Sequence, residues 1–261
     1  MAAVARRTRP SPYPNWFFLP AAIIYSVLFL LPTIASLWFS LTRWDLFEAH
    51  FIGLRNFRQF FSEPFLVQGL VNTVIYGFAT SAAKTVLGLL LAVLLTGEII
   101  ARGLLRTVVF FPVLVSTRLT NPTLAIYSVI IIDVWKGVGL ATVIFMAGLA
   151  SIPQDYYEAS RIDGATRQQQ FWRITLPLVW PATVTVITLS LIGGLRSFDL
   201  IWAMTGGGPG FSSDVVASVI YKQYQAGFYG LATAGNVILF MLIAVIVVPL
   251  TLWFNRREVE A

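Results

Sequence analysis

Two groups of residues in this chain have types and spacings that could act on a partner or a solute. The first lies in a polar island, Glu158 to Pro177 (EASRIDGATRQQQFWRITLP), set between long apolar blocks. In it, Ala159 and Ile162 share a helix face at i,i+3 and offer a small apolar contact among charges. Glu158 could pair with a basic residue of such a partner, and Gly164 permits the left-handed residue that ends a helix. The second group is the charges inside or beside apolar runs: Lys84, then Asp133 and Lys136 three apart, then Arg196 and Asp199 three apart. Burying such groups in hydrocarbon is costly, so they pair or face a wet cavity. They could line a path for sugar hydroxyls or a phosphate. The plainer uses are an internal i,i+3 ion pair for Asp133–Lys136 and Arg196–Asp199, and a snorkelling lysine at position 84.

Composition sets the solvent around both groups. Of 261 residues, 57% are hydrophobic and 11% charged, with a mean hydropathy of +0.77. Soluble domains carry roughly 25% charged residues, so this surface cannot face water on all sides. The chain contains no cysteine, which excludes disulfides and thiolate chemistry, and its one histidine, His50, excludes a multi-histidine metal site. Its net charge of +6 is scattered between apolar blocks, which suits anionic lipid and membrane orientation rather than nucleic acid.

The apolar blocks predict an all-α polytopic membrane protein of about six transmembrane helices. Residues 1–16 form a basic tail, 17–254 the membrane domain with a polar loop at 151–177, and 255–261 a second tail. Phe17–Leu41, Leu66–Leu95, Leu176–Met204 and Leu231–Phe254 each give one span. The first is too long for a signal-peptide core and no small-residue cleavage site follows it, so it reads as a retained anchor. The 46 residues Leu104–Leu149 fit two spans of ~20 residues that turn around Thr117–Pro122. With six spans, ten arginines fall on one side and five basic residues on the other. That bias places both termini and the polar island in the cytoplasm.

Within the island, Ser151 reads as an N-cap with Pro153 in the first turn, and Asp155 and Glu158 suit the positive helix end. A second segment runs from Ala165 to about Arg173, and Pro177 enters the next span near its first turn, where its missing N–H costs least. Gly206-Gly207-Gly208-Pro209-Gly210 follows a hydrophobic span and precedes no phosphate-cradling lysine, so it reads as a flexible outer loop or a plain turn. Trp16, Trp38, Trp44 and Tyr13 mark membrane interfaces.

The island's spacing, Glu158-Ala159-Ser160, three residues, Gly164, nine residues, Ile174, one residue, Leu176-Pro177, resembles the cytoplasmic coupling loop of bacterial ABC importer permeases. The family pattern is E-A-A-x3-G-x9-I-x-L-P, from which only Ser160 departs. The resemblance extends to WFFLPAAIIYSVLFLLPTIASLWFSLTRWD, to FIGLRNFRQFF, to NTVIYGFATSAAKTVLGLLLAVLL with GLLRTVVFFPVL, and to FDLIWAMTGGGPGFSSDVVASVIYKQYQ. The chain is similar to the maltose- and glycerol-3-phosphate-type branch of these carbohydrate permeases. Between Pro112–Ser116 and Val134–Gly139 it is shorter than that family usually is.

This resemblance implies a non-catalytic subunit that forms half of a pathway with a second, related permease subunit. Two ATP-binding subunits, which would hold ATP and Mg, are expected on the cytoplasmic side and an external solute-binding protein on the other. The coupling residues carried over are Glu158, Ala159, Ser160, Asp163, Gly164, Ile174, Leu176 and Pro177. The chain has no GxxxxGK[ST] loop, so ATP chemistry belongs to a partner. The expected place is a bacterial plasma membrane, and the solute a sugar, oligosaccharide or glycerol phosphate. A stand-alone channel or secondary transporter, or a membrane scaffold, would not need the island's spacing.

Overall fold

The computed structural model describes residues 15–96, 121–122 and 124–256. Most of the proposed turn at 117–122 and of the third span lies outside these residues. The elements in chain order are α1 (Trp16–Ser40), β1 (Thr42–Trp44), β2 (Ala49–Phe51), α2 (Arg55–Ser62), α3 (Pro64–Thr96) and α4 (Ala125–Ala150). They continue with α5 (Gln154–Ile162), α6 (Arg167–Leu178), α7 (Trp180–Leu195), α8 (Asp199–Thr205), α9 (Val216–Gln225) and α10 (Tyr229–Asn255).

Among the described residues, α1, α3, α4 and α10 are each long and apolar enough to cross a membrane, and α6 with α7 makes a fifth candidate bent by 63°. The span expected over Leu176–Met204 is therefore not one straight rod. Pro181 lacks the N–H that would bond the Pro177 carbonyl, and its ring crowds that carbonyl, so the helix breaks at Val179. α7 then ends at Arg196, and α8 starts afresh at Asp199. A two-stranded antiparallel hairpin is the exception to the all-α expectation, with Arg43 opposite His50 and Trp44 opposite Ala49. Asp45 accepts backbone N–H bonds from Glu48 and Phe47 at its tip, and these two bonds hold its carboxyl below the usual range.

α3 is the centre of the bundle, flanked by α4 and α7. In hydrocarbon, apolar side chains gain little by leaving lipid for protein, so helices associate by close packing of small residues. A Cβ on Gly88 would come within 2.8 Å of Ala141 on α4, and one on Gly194 of α7 within 2.9 Å of the Gly77 Cα. Gly148 and Ala182 bring α4 and α7 together in the same way. Hydroxyls along α3 are silenced locally: Thr73, Thr80, Thr85 and Thr96 each donate to a carbonyl one turn back. Ser81 instead reaches across to the Ile187 carbonyl of α7 at 3.1 Å.

One end of the bundle gathers the hairpin, α2, α8 and α9. Asn56 donates to the Ser40 and Thr42 carbonyls, and Gly230 at the start of α10 lies directly against the Thr42 carbonyl. The segment between α8 and α9 is tied to α3 by Asn72, which donates to the Ser212 and Asp214 carbonyls, and by Thr73, which accepts from the Val216 N–H. Asp214 itself is fully buried. It accepts from Ser218 and forms an ion pair with Lys222 at 2.6 Å. Burial pushes its carboxyl above the usual range, against the opposing pull of Lys222 and Ser218. Gly207 has a φ of +85°, and a Cβ there would fall on the Asp214 carboxylate.

Removing one partner of a buried pair leaves an uncompensated charge, at a cost of about 3 kcal/mol or more. Lys222→Met is expected to lower the thermal midpoint of the detergent-solubilised protein, and the Asp214→Asn/Lys222→Met double variant to recover most of the loss. A double variant no better than the single one would show that packing, not charge, is what Lys222 supplies.

Candidate functional site

Two places combine exposed or polar groups with a defined geometry. The first is within the bundle. Lys84 of α3 is nearly buried, and its Nζ lies 2.6 Å from Oδ2 of Asp133 on α4. The side chain crosses to α4 where Gly137 has no Cβ; an added Cβ would sit 2.5 Å from the Lys84 Cε. Lys84 borders a groove of about 120 Å³ between α3, α4 and α7, lined also by Gly137, Leu140, Ile144, Leu189, Ser190 and Gly193.

This pairing differs from the i,i+3 arrangement expected for Asp133 and Lys136. Those two side chains leave the helix in different directions: Asp133 turns toward α3, whereas Lys136 is exposed and makes no ion pair among the described residues. The expected Arg196–Asp199 pair is also not formed. Arg196 caps the end of α7 and Asp199 sits in the first turn of α8, where a carboxylate suits the positive helix end. Both are exposed. Of the five charges considered, the structure joins only Lys84 and Asp133.

The second place is the polar loop. Its first helix, α5, begins after Pro153, not after Ser151. Ser151 belongs to the end of α4, where its hydroxyl donates to the Gly148 carbonyl. Asp155 and Arg161 sit in the first and last turns, each of the sign that suits its helix end. Gly164 ends the helix with a φ of +81°. Its N–H donates to the Arg161 carbonyl, and Ala165 donates to the Ser160 carbonyl, the paired bonds of a Schellman cap. No atom crowds Gly164, so its need for glycine is conformational.

Thr166 then opens α6 with a reciprocal capping box to Gln169. Four side chains bolt α5 to α6. Gln170 donates to the Ser160 hydroxyl at 2.7 Å and to the Tyr157 carbonyl, while Tyr157 and Thr175 share a hydroxyl bond at 3.0 Å. Ser160 completes the set by donating to the Tyr157 carbonyl. Glu158, Ala159, Asp163 and Gly164 are exposed, and Ile162 is 87% exposed, so the small apolar face is presented outward with carboxylates around it. Ile174 and Leu176 are half-buried, and Pro177 is exposed just ahead of the bend at Val179.

Sequence reasoning overlooked the roles of Gln170, Tyr157 and Thr175, which carry no charge or motif of their own. It also missed Asn72 and the Asp214–Lys222 pair, in which Asp214 lies ahead of α9 and Lys222 within it.

The family described as "Binding-protein-dependent transport system inner membrane component" matches residues 15–259. The trehalose/maltose transport system permease protein MalF of Thermococcus litoralis is 33% identical, over 86% of this chain and 88% of the relative. The sn-glycerol-3-phosphate transport system permease protein UgpA of Pectobacterium atrosepticum is 28% identical over 97% of each chain. That alignment runs to 288 positions, more than the 261 residues here, so the relative carries residues with no counterpart in this chain. Among solved structures, a bacterial ABC transporter involved in the import of the acidic polysaccharide alginate superimposes with a TM-score of 0.75. It is 23% identical and covers 94% of this chain and 95% of that one.

Neutralising one member of the Lys84–Asp133 pair should strand the other in an apolar bundle. Lys84→Met and Asp133→Asn are each expected to reduce the yield of monodisperse protein in detergent, and the double variant to restore it. Loosening the bolt should show locally: Gln170→Leu is expected to cut hydrogen-exchange protection across residues 154–162 about fivefold or more, the worth of one to two hydrogen bonds.

Proposed function

The chain belongs to the binding-protein-dependent transport system inner membrane component family, and from that premise we propose its part in the transport cycle. It is the permease subunit of an ATP-driven importer for a sugar or related solute. It encloses half of the translocation pathway, the other half coming from a second, related permease subunit. Two ATP-binding subunits hold ATP and Mg, and an external solute-binding protein delivers the ligand. In this reading the bundle has six spans, both termini are cytoplasmic, and the membrane is the bacterial plasma membrane. The substrate-pathway candidates are Lys84 and Asp133, with Lys136, Arg196 and Asp199 nearer the periphery.

The observation that supports this reading is the outward face of α5. Ala159 and Ile162 lie exposed beside Glu158 and Asp163, while the buried side of α5 is fixed to α6. A short helix so arranged fits a cleft on a soluble partner. Glu158 pairs there with a basic residue, and the Gly164 cap sets the angle at which α5 projects. Displacement of α5 carries α6 with it through Gln170 and Thr175, and α6 joins α7 at the bend. Motion of the ATP-binding pair thus reaches the groove beside Ser190 and Gly193 without unfolding a span.

Gly164→Trp forces a bulky residue into the left-handed region at a cost of about 1–2 kcal/mol and undoes the cap. In the reconstituted complex, ATP hydrolysis stimulated by the binding protein is expected to fall to the unstimulated level, while the spans still insert and the second permease subunit still co-elutes. A Gly164→Trp complex with full stimulation would remove α5 from the coupling role.

A further inference from the structure

A cleft of about 360 Å³ opens at the hairpin end of the bundle, between β1, α9 and α10. It is separate from the Lys84 groove, with which it shares no lining residue. Its size lies within the roughly 300–1,000 Å³ usual for small-molecule sites. Five of its walls are aromatic: Trp44, Phe198, Tyr221, Tyr224 and Tyr229. These rings brace one another at centroid separations of 5.7 Å for Trp44–Tyr229, 5.0 Å for Tyr224–Tyr229 and 5.3 Å for Phe198–Tyr221. They form a preset surface rather than a collection of loose side chains.

Asn236 is one of the polar residues that line the cleft. It lies seven residues into α10, about 10 Å from the start of the helix, within an otherwise apolar stretch. Its amide is exposed, and among the described residues it has no hydrogen-bond partner; the same holds for the hydroxyls of Tyr221, Tyr224 and Tyr229. An amide placed in a span without a partner is costly unless water or a ligand satisfies it. Aromatic faces edged by open donors and acceptors match the two surfaces of a pyranose ring: an apolar face of C–H groups and a rim of hydroxyls.

Charge narrows the ligand further. No Asp, Glu, Lys or Arg lines the cleft. The cation adjoining it in sequence, Lys222, is held by buried Asp214 at 2.6 Å. A phosphate or uronate entering here would shed its hydration shell and meet no counter-ion. We propose that this cleft is a receiving site for an uncharged saccharide, one ring resting on the Trp44–Tyr229–Tyr224 walls with its hydroxyls bonded to the tyrosines and Asn236. The assignment rests on the importer reading above and adds to it a second sugar site, on the side where solute enters, and a preference for neutral over anionic solutes.

The test uses the whole complex with its partner subunits in lipid nanodiscs, without the solute-binding protein. Saturation-transfer NMR measures binding of maltotriose, glycerol 3-phosphate and a uronic acid trisaccharide. The expected result is maltotriose binding in the wild type, little signal from either anion, and a five- to tenfold weaker affinity in Asn236→Leu and in Tyr224→Phe, the loss of about one hydrogen bond each. Co-elution of each variant with its partner subunits excludes misfolding. No maltotriose binding by the wild type, or equal binding by wild type and both variants, would overturn the site. Equal binding of the two anions at the cleft would overturn the charge preference. A photo-crosslinker at position 224 that captures the second permease subunit or lipid, undiminished by maltotriose, would make the cleft an interface and overturn the proposal. The importer reading is judged separately, by whether the same wild-type nanodiscs hydrolyse ATP in response to a solute-binding protein.

Discussion

The close approach of α3 to α4 and α7 is the constraint from which the rest of the bundle follows. It is made at glycines: Gly88 against Ala141, and Gly77 against Gly194. In lipid, where apolar surface gains little by leaving hydrocarbon, such contacts are a main source of helix–helix adhesion. The same economy places Gly137 beneath Lys84, so that the lysine spans the gap between helices and reaches Asp133 without displacing either backbone. With α3 fixed, the segment after α8 is fixed as well, because Asn72 and Thr73 hold its carbonyl and N–H groups.

Two lysine–aspartate pairs stand at different places in the molecule and solve the same problem. Lys84–Asp133 neutralises charge inside the bundle, and Lys222–Asp214 neutralises it beneath the loop at one end. The first joins α3 to α4, and the second ties α9 to the segment just ahead of it. Each leaves its lysine paired rather than free. What remains exposed in the two clefts is largely neutral: aromatic rings, a serine, an asparagine and glycine backbone.

Much of this was legible in the sequence, and the reasons differ by element. α1, α3 and α10 follow from apolar run length alone, since a membrane fixes how many residues a span needs, whereas α4 also needed the charge bias that divides the run Leu104–Leu149 into two spans. The α5–Gly164–α6 arrangement was readable because a left-handed cap requires glycine and its position is set by local bonds. The bend at Val179 was less so; Pro177 and Pro181 were visible, but the composition of the segment remained apolar throughout. Pairings across helices were not legible at all. Lys84 is 49 positions from Asp133, and only the rotational setting of α3 against α4 decides that Asp133 turns to it and not to Lys136. Gln170, too, looks like an ordinary polar loop residue until α5 folds back onto it.

α1 contrasts with all the others. Within this chain it packs along α10 and, apart from Ser40 at its end, buries none of its residues. Within this chain α1 is therefore held by few contacts, while α3 is held residue by residue at Gly77, Gly88 and Lys84. Contacts inside the chain thus fix α3 along one face and leave the outward side of α1 to lipid or to a partner subunit, so that only α3's constraint can be read from this chain by itself. A comparison of close relatives would then display the buried axis of the protein as a stripe of slow change, without any coordinates.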